Sequence, residues 1–162
     1  MKKTTQVLAF YLLFSSTAFA STTDSLLHIW QQHPQGVIGQ KTLNKLLTAL
    51  YKQERINQAD SIIQIVKKRI PSYKNEQELA YAYFNIGLLS TYQLAFDSGK
   101  KWYELSYQLA LKNKDEEGIY RATDRYSGLY FFEGDYISAL KYSKIAAEYA
   151  QKSKNIEGLI LA

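Results

Sequence analysis

A chain of 162 residues has room for one domain or a short run of repeats, and its 46% hydrophobic and 22% charged residues with only two prolines suit a folded chain rather than a disordered one. The formal charge of +5 falls to +3 without Lys2 and Lys3, and the remaining basic residues alternate with acidic ones, a solvated surface rather than a nucleic-acid footprint. No cysteine is present, which excludes disulfides, a cysteine-rich zinc site, a thiol nucleophile and a lipid anchor on cysteine.

In chain order, Lys2 and Lys3 precede an apolar run from Val7 to Phe14, then Ser15, Ser16, Thr17 and Ala18-Phe19-Ala20. A basic start, a short apolar stretch and small residues at its end are the marks of a secretory leader. The stretch is well short of the roughly 20 apolar residues that a membrane-crossing helix needs. Residues 1–20 are therefore expected to be a signal peptide cleaved after Ala20, delivering the rest to the periplasm or the extracellular space with no span remaining.

Residues 21–39 are expected to form an N-terminal capping helix and turn. Thr22, Thr23 and Asp24 suit a helix start, Ser25-Leu26-Leu27-His28-Ile29-Trp30 is amphipathic, and His33-Pro34-Gln35-Gly36 reads as a turn leading into Val37 and Ile38. Further helices are expected near 40–53, 57–69, 76–93, 97–113, 116–132 and 136–153, after a first near 24–31. Apolar residues recur at three and four, as in Leu105, Leu109 and Ala110 with Lys101, Gln108 and Lys112 on other faces. The break is clearest at Glu133-Gly134-Asp135-Tyr136, where glycine tolerates a left-handed helix end and Asp135 can cap the next helix.

A shift of 40 residues lays Asp115–Ala122 over Asn155–Ala162, and a second shift reaches Asn75–Ala82. The same spacing links Lys74, Lys114 and Lys154, then Ala82, Ala122 and Ala162, then the small residues Ala59, Gly99 and Ala139. A fixed period of this length marks a stack of repeats. The units are 40–79, 80–119 and 120–159, within a region 40–162, with the start of a fourth at 156–162. The middle unit contributes Tyr83, Ile86-Gly87, Gly99, Tyr103 and Ser106. The last contributes Thr123, Tyr126-Ser127, Tyr130, Ala139, Ser143 and Ala146, and the first Leu43, Leu46-Leu47, Leu50, Ala59, Ile63, Val66 and Pro71. In this pattern the units resemble tetratricopeptide repeats, longer than the usual unit of about 34 residues and like those in exported N-terminal regions of bacterial sensor and regulatory proteins. Leu47 in a slot for a small residue, and the absence of proline after the second and third units, depart from the pattern.

The resemblance implies an all-α, right-handed solenoid of antiparallel hairpins. It further implies a scaffold or adaptor that binds a protein or peptide in a concave groove, here expected along Tyr51, Tyr81, Phe84, Asn85, Leu88, Tyr92, Arg121, Asp124, Arg125, Phe131 and Phe132. Asn85, Arg121 and Arg125 also match slots with which some family members hold a terminal carboxylate, whereas Asn44 and Thr48 depart from that clamp. The alternative implication is the extracytoplasmic input region of a longer signalling protein, such as a sensor kinase, continuing past Ala162.

No enzyme, cofactor or metal is expected. His28 and His33 lie without acidic ligands at metal spacing, and Asp115-Glu116-Glu117 suits a helix start, where the dipole favours negative charge. Gly158-Leu159-Ile160-Leu161-Ala162 repeats the opening of a hairpin without a polar cap, so self-association through this end, or continuation of the chain, is a further expectation.

Overall fold

The computed structural model describes residues 22–153, so the expected leader at 1–20 and the expected start of a fourth unit at 156–162 lie outside the described residues. Within them the chain is all α. Helix α1 covers residues 22–32, followed by α2 (Gly36–Lys52), α3 (Ile56–Arg69), a 3-10 turn at Ile70–Ser72, α4 (Glu76–Tyr92), α5 (Phe96–Lys112), α6 (Glu116–Phe132) and α7 (Tyr136–Lys152). The first helices of the hairpins begin at residues 36, 76 and 116 and each is 17 residues long, so the 40-residue period is kept in the backbone.

The turns repeat as closely. Arg55, Ala95 and Asp135 each donate their backbone N–H to the carbonyl five residues back, on Leu50, Ser90 and Tyr130, while Glu54, Leu94 and Gly134 bond three residues back. This doubled closure of a helix end needs a left-handed residue. Gly134 (φ 81°) supplies it cheaply, whereas Glu54 (φ 58°), Leu94 (φ 60°) and, between α5 and α6, Lys114 (φ 54°) adopt it despite a side chain. Asn75, Asp115 and Asp135 cap the helices that follow by accepting from the backbone N–H of Glu78, Gly118 and Ser138.

Consecutive hairpins α2–α3, α4–α5 and α6–α7 lie side by side, with α4 against α2, α3, α5 and α6. The closest crossing joins α4 and α5: a Cβ on Gly87 would stand 2.7 Å from the Tyr103 ring, and one on Gly99 2.8 Å from Thr91 Oγ1. Leu47, large and fully buried, occupies the corresponding place in α2, which approaches α3 less closely.

Two cores result. One is aliphatic, built from Leu43, Leu46, Leu50, Ile63, Val66, Ile86 and Leu89 with Trp30 of α1 in it. The other is aromatic, with Phe84, Tyr103 and Tyr126 buried and Phe96, Tyr107, Tyr130 and Tyr142 around them. Five of the chain's 14 tyrosines gather there. The Tyr126 hydroxyl donates to Glu104 and to the backbone oxygen of Lys100, so its polar tip is satisfied while the ring packs. The α2 helix starts at Gly36 rather than at 40 as expected, in register with Glu76 and Glu116, and Glu78 of α4 accepts from Gly36 N–H (2.6 Å), capping it from a neighbouring hairpin. Among the described residues no helix is long and apolar enough to cross a membrane.

Candidate functional site

The first helices of the three hairpins, α2, α4 and α6, share one face, and the 40-residue register sets equivalent positions beside each other. Lys41, Tyr81 and Arg121 form one such row. The Arg121 guanidinium lies 3.4 Å from the Tyr81 ring centre and 5.3 Å from that of Phe84, while the Lys41 ammonium stands 5.5 Å from the Tyr81 ring. Glu117 joins them: one carboxylate oxygen accepts from Lys41 Nζ (2.8 Å) and the other from the Tyr81 hydroxyl (3.0 Å). Burial pushes the Tyr81 phenol up to about 12, opposed by Arg121 and Lys41. Burial also raises Glu117, but its bonds to Lys41 and Tyr81 and the nearby Arg121 charge outweigh that and hold it below the ordinary carboxylate range. Burial lowers Arg121 against the pull of Tyr81 and Glu117. Its Nε donates to the Glu117 backbone oxygen, and its enclosed Nη2 has no acceptor among the described residues. The face of the Tyr81 ring compensates that cation in part.

The next rows show how much of the expected groove is closed. Tyr81, Phe84, Asn85 and Leu88 are all buried. Asn85 donates its amide to the backbone oxygen (3.0 Å) and side-chain oxygen (3.1 Å) of Gln40 and accepts from Asn44 (3.2 Å), so its hydrogen-bonding capacity is consumed between α2 and α4. It cannot also hold a carboxylate without leaving Gln40 unpaired. Phe84 packs on Tyr103 with ring centres 5.4 Å apart, and Leu88 belongs to the aliphatic core. A carboxylate clamp through Asn85 and Arg121 therefore does not stand ready.

Open surface remains on either side. Towards α2, Tyr51 is 47% exposed and stacks on Tyr92 with ring centres 4.0 Å apart and planes at 9°. Thr48 fixes this pair through a hydroxyl contact with Tyr92 (3.3 Å). A cleft of 440 Å³ opens beside the two rings at Lys52, Glu54 and Ile56, and a second of 410 Å³ lies between α1 and α2 at Asn44, Lys45 and Thr48, with Lys52 on both. Helix α2 carries three lysines and no acid, and among the described residues Lys45 and Lys52 have no ion-pair partner. Towards α6, Arg125 is exposed and only loosely paired with Asp124 (3.7 Å), and a Cβ added to exposed Gly128 would meet no atom within 4 Å. Phe131 and Phe132 project further along α6; Phe132 stacks on Phe96 and Phe131 meets Tyr136 edge-on.

The expected site residues thus divide into three sets. Tyr51 and Tyr92 come together as a shelf; Asp124, Arg125, Phe131 and Phe132 occupy the α6 surface; Tyr81, Phe84, Asn85 and Leu88 are internal, with Arg121 half-buried against the first two. Sequence reasoning missed Lys41, Lys45, Lys52 and Glu117. The 40-residue register would have aligned Lys41 with Tyr81 and Arg121, since cations next to a tyrosine in stacked helices are a recognisable pairing. A further cleft of 680 Å³ among the described residues is lined in part by the helix caps Asn75 and Asp115, which accept from the backbone of the helices that they open.

No family model and no curated protein matches the chain. Among solved structures, BtubC (BKLC) from P. vanneervenii matches with a TM-score of 0.59 and 15% identity, covering 88% of this chain and 57% of that one. The chain thus spans little more than half the length of that structure. At this identity the likeness is one of fold.

Proposed function

We propose that this chain is an exported, tetratricopeptide-like binding module that holds a protein or peptide segment on the face of α2, α4 and α6. The observation that carries the reading is the Tyr51–Tyr92 shelf, half open to solvent beside Lys52, with Lys45 in the adjoining cleft that shares Lys52. An aromatic pair already stacked and fixed by Thr48 offers apolar area at little further cost in side-chain entropy, as binding surfaces require. The leader-like start of the sequence supports export, and the 17-residue helices recurring at 40-residue intervals support the family reading.

The test is capture of a partner from an exported fraction by residues 21–162, followed by binding measurements on variants. Tyr51→Ala and Lys45→Glu weaken the recovered complex about tenfold or more, the scale of an interface hot spot, and Arg125→Glu weakens it less. Arg121 is not a clean probe, because reversing its charge also breaks the packing on Tyr81. Unchanged binding in Tyr51→Ala and Lys45→Glu moves the site off this face.

A further inference from the structure

The lysines of α2 are unequal. Lys41 is neutralised by Glu117 from across the stack (2.8 Å). Lys45 and Lys52 are exposed, and no acid of α2 itself or of the other described residues pairs with them. Seven residues apart, they stand two turns from one another on one side of the helix, and both line the cleft of 410 Å³ between α1 and α2.

The rest of that cleft is threonine, Asn44 and Ala49, so among the described residues no carboxylate lines it. Its neutral polar groups are engaged: the Asn44 amide donates to Asn85, and the Thr48 hydroxyl donates to the Asn44 backbone oxygen (3.0 Å). The two ammonium groups are left as unmatched charges. Past Lys52 come the stacked rings of Tyr51 and Tyr92, in the adjoining cleft of 440 Å³, with Glu54 on its wall. Along α2 the surface thus offers two cations and then an aromatic shelf.

We propose that the segment held on this face is acidic, with two side-chain carboxylates three residues apart and a ring or proline beyond the second. The inference rests on the peptide-binding reading above and adds the chemistry of the occupant. Seven residues of α-helix rise about 10.5 Å, and three residues of extended or polyproline chain rise about 9–10 Å. In polyproline geometry, residues three apart also return to the same side of the chain. One carboxylate then meets Lys45, the other meets Lys52, and the following ring lies on Tyr51. A neutral segment leaves both ammonium groups unmatched and a basic one repels them, so charge complementarity selects the acidic occupant. Two cations neutralise too few phosphates to hold a nucleic acid in its place.

The test is fluorescence anisotropy of the whole exported chain with a labelled, C-terminally amidated peptide, Gly-Glu-Pro-Ala-Glu-Tyr-Pro-Gly. Amidation removes any contribution from a terminal carboxylate. The wild-type chain binds this peptide with a Kd of about 300 µM or tighter at an ionic strength of about 0.02 M. Glutamine in place of both glutamates weakens binding about tenfold, and placing the two glutamates side by side weakens it about threefold. Lys45→Gln with Lys52→Gln no longer distinguishes the glutamate peptide from the glutamine one and loses the salt dependence. Tyr51→Ala weakens both peptides alike and keeps the preference for glutamate. Lys68→Gln, on α3, changes neither affinity, which excludes an effect of net charge alone. Failure of the acidic peptide to bind, or equal binding of the glutamine peptide, overturns the proposal. In the second case a loss of affinity in Tyr51→Ala retains the binding face and removes only its preference for acid. Equal binding of the peptide with adjacent glutamates overturns the three-residue spacing.

Discussion

Helices α4 and α7 have the same length and occupy neighbouring units of the same 40-residue pattern, yet they live in different solvents. Eleven of the 17 residues of α4 are buried, so it is enclosed almost all round by α2, α3, α5 and α6. By contrast, α7 buries only Ala139, Ala146 and Ala150 and shows Tyr136, Ile137 and Leu140 to water. Two things separate them: α7, like α5 with four buried residues, is the second helix of its hairpin, and α4 lies between α2 and α6, which bury six residues each. This is also why the middle of the expected groove is closed: Tyr81, Phe84, Asn85 and Leu88 all belong to the enclosed helix.

The sharpest way to break the comparison is to truncate one leucine in each helix. Leu89→Ala, in the aliphatic core, is expected to cost about 3–5 kcal/mol in a chemical denaturation curve. Leu140→Ala stays within about 0.5 kcal/mol. Similar losses at both sites would mean that α7 is as enclosed as α4.

Alkaline titration probes the enclosed tyrosines. Burial pushes the phenols of Tyr81 and Tyr103 up to about 12, against about 10 in an unfolded chain. The unfolded chain loses these protons first, so their contribution is complete below pH about 10 and is lost as the pH rises towards 12. Up to about 2–3 kcal/mol per tyrosine is at stake. Stability measured across that window should fall, and Tyr81→Phe should flatten the fall; a flat wild-type profile contradicts the burial of these groups.

Two glycines supply the next contrast. Gly87→Ala drives a methyl group into the Tyr103 ring and close to the Gly99 backbone oxygen (3.2 Å), and is expected to cost about 1–3 kcal/mol. Gly128→Ala, on the open surface of α6, meets nothing and is expected to stabilise the chain by about 0.5–1 kcal/mol through helix propensity. Opposite signs in thermal melts are the expected outcome.

The smallest effect is in the turns. Leu94 is held at φ 60° with its side chain 76% exposed, where Gly134 serves the equivalent turn between α6 and α7. Leu94→Gly should stabilise by about 1 kcal/mol, and a loss instead would reveal a packing role for that side chain.

Much of the fold was legible. The helices expected at 76–93, 97–113, 116–132 and 136–153 match α4 to α7 to within a residue, because amphipathic spacing and cap residues such as Asp115 and Asp135 act over one turn of chain. The small slots at Gly87 and Gly99 were legible for the same reason, and their close crossing is present. The turns at Glu54, Leu94 and Lys114 were not, since none of these residues favours a left-handed conformation and only the closure by neighbouring helices imposes it. Of the proposed binding face, the aromatic and arginine positions could be read, but not which would remain open. Asn85 looked available until Gln40 and Asn44 were seen to bond it, and the lysines of α2 gained meaning only once α1 and α4 framed them.

The sequence by itself determined the helical class, the 40-residue register, the small-residue crossings and the turn at Gly134-Asp135, all of which rest on hydrogen bonds and side-chain spacings within a few residues. The tertiary structure alone decided which group caps the start of α2, through Glu78 reaching Gly36, and how α2 and α6 are joined across α4, through Lys41 and Glu117. It also decided that Tyr51 and Ile137 face water while Tyr81 does not. Burial and charge pairing depend on what lies across the gap between helices, and residues 36 to 76 positions apart along the chain supply it.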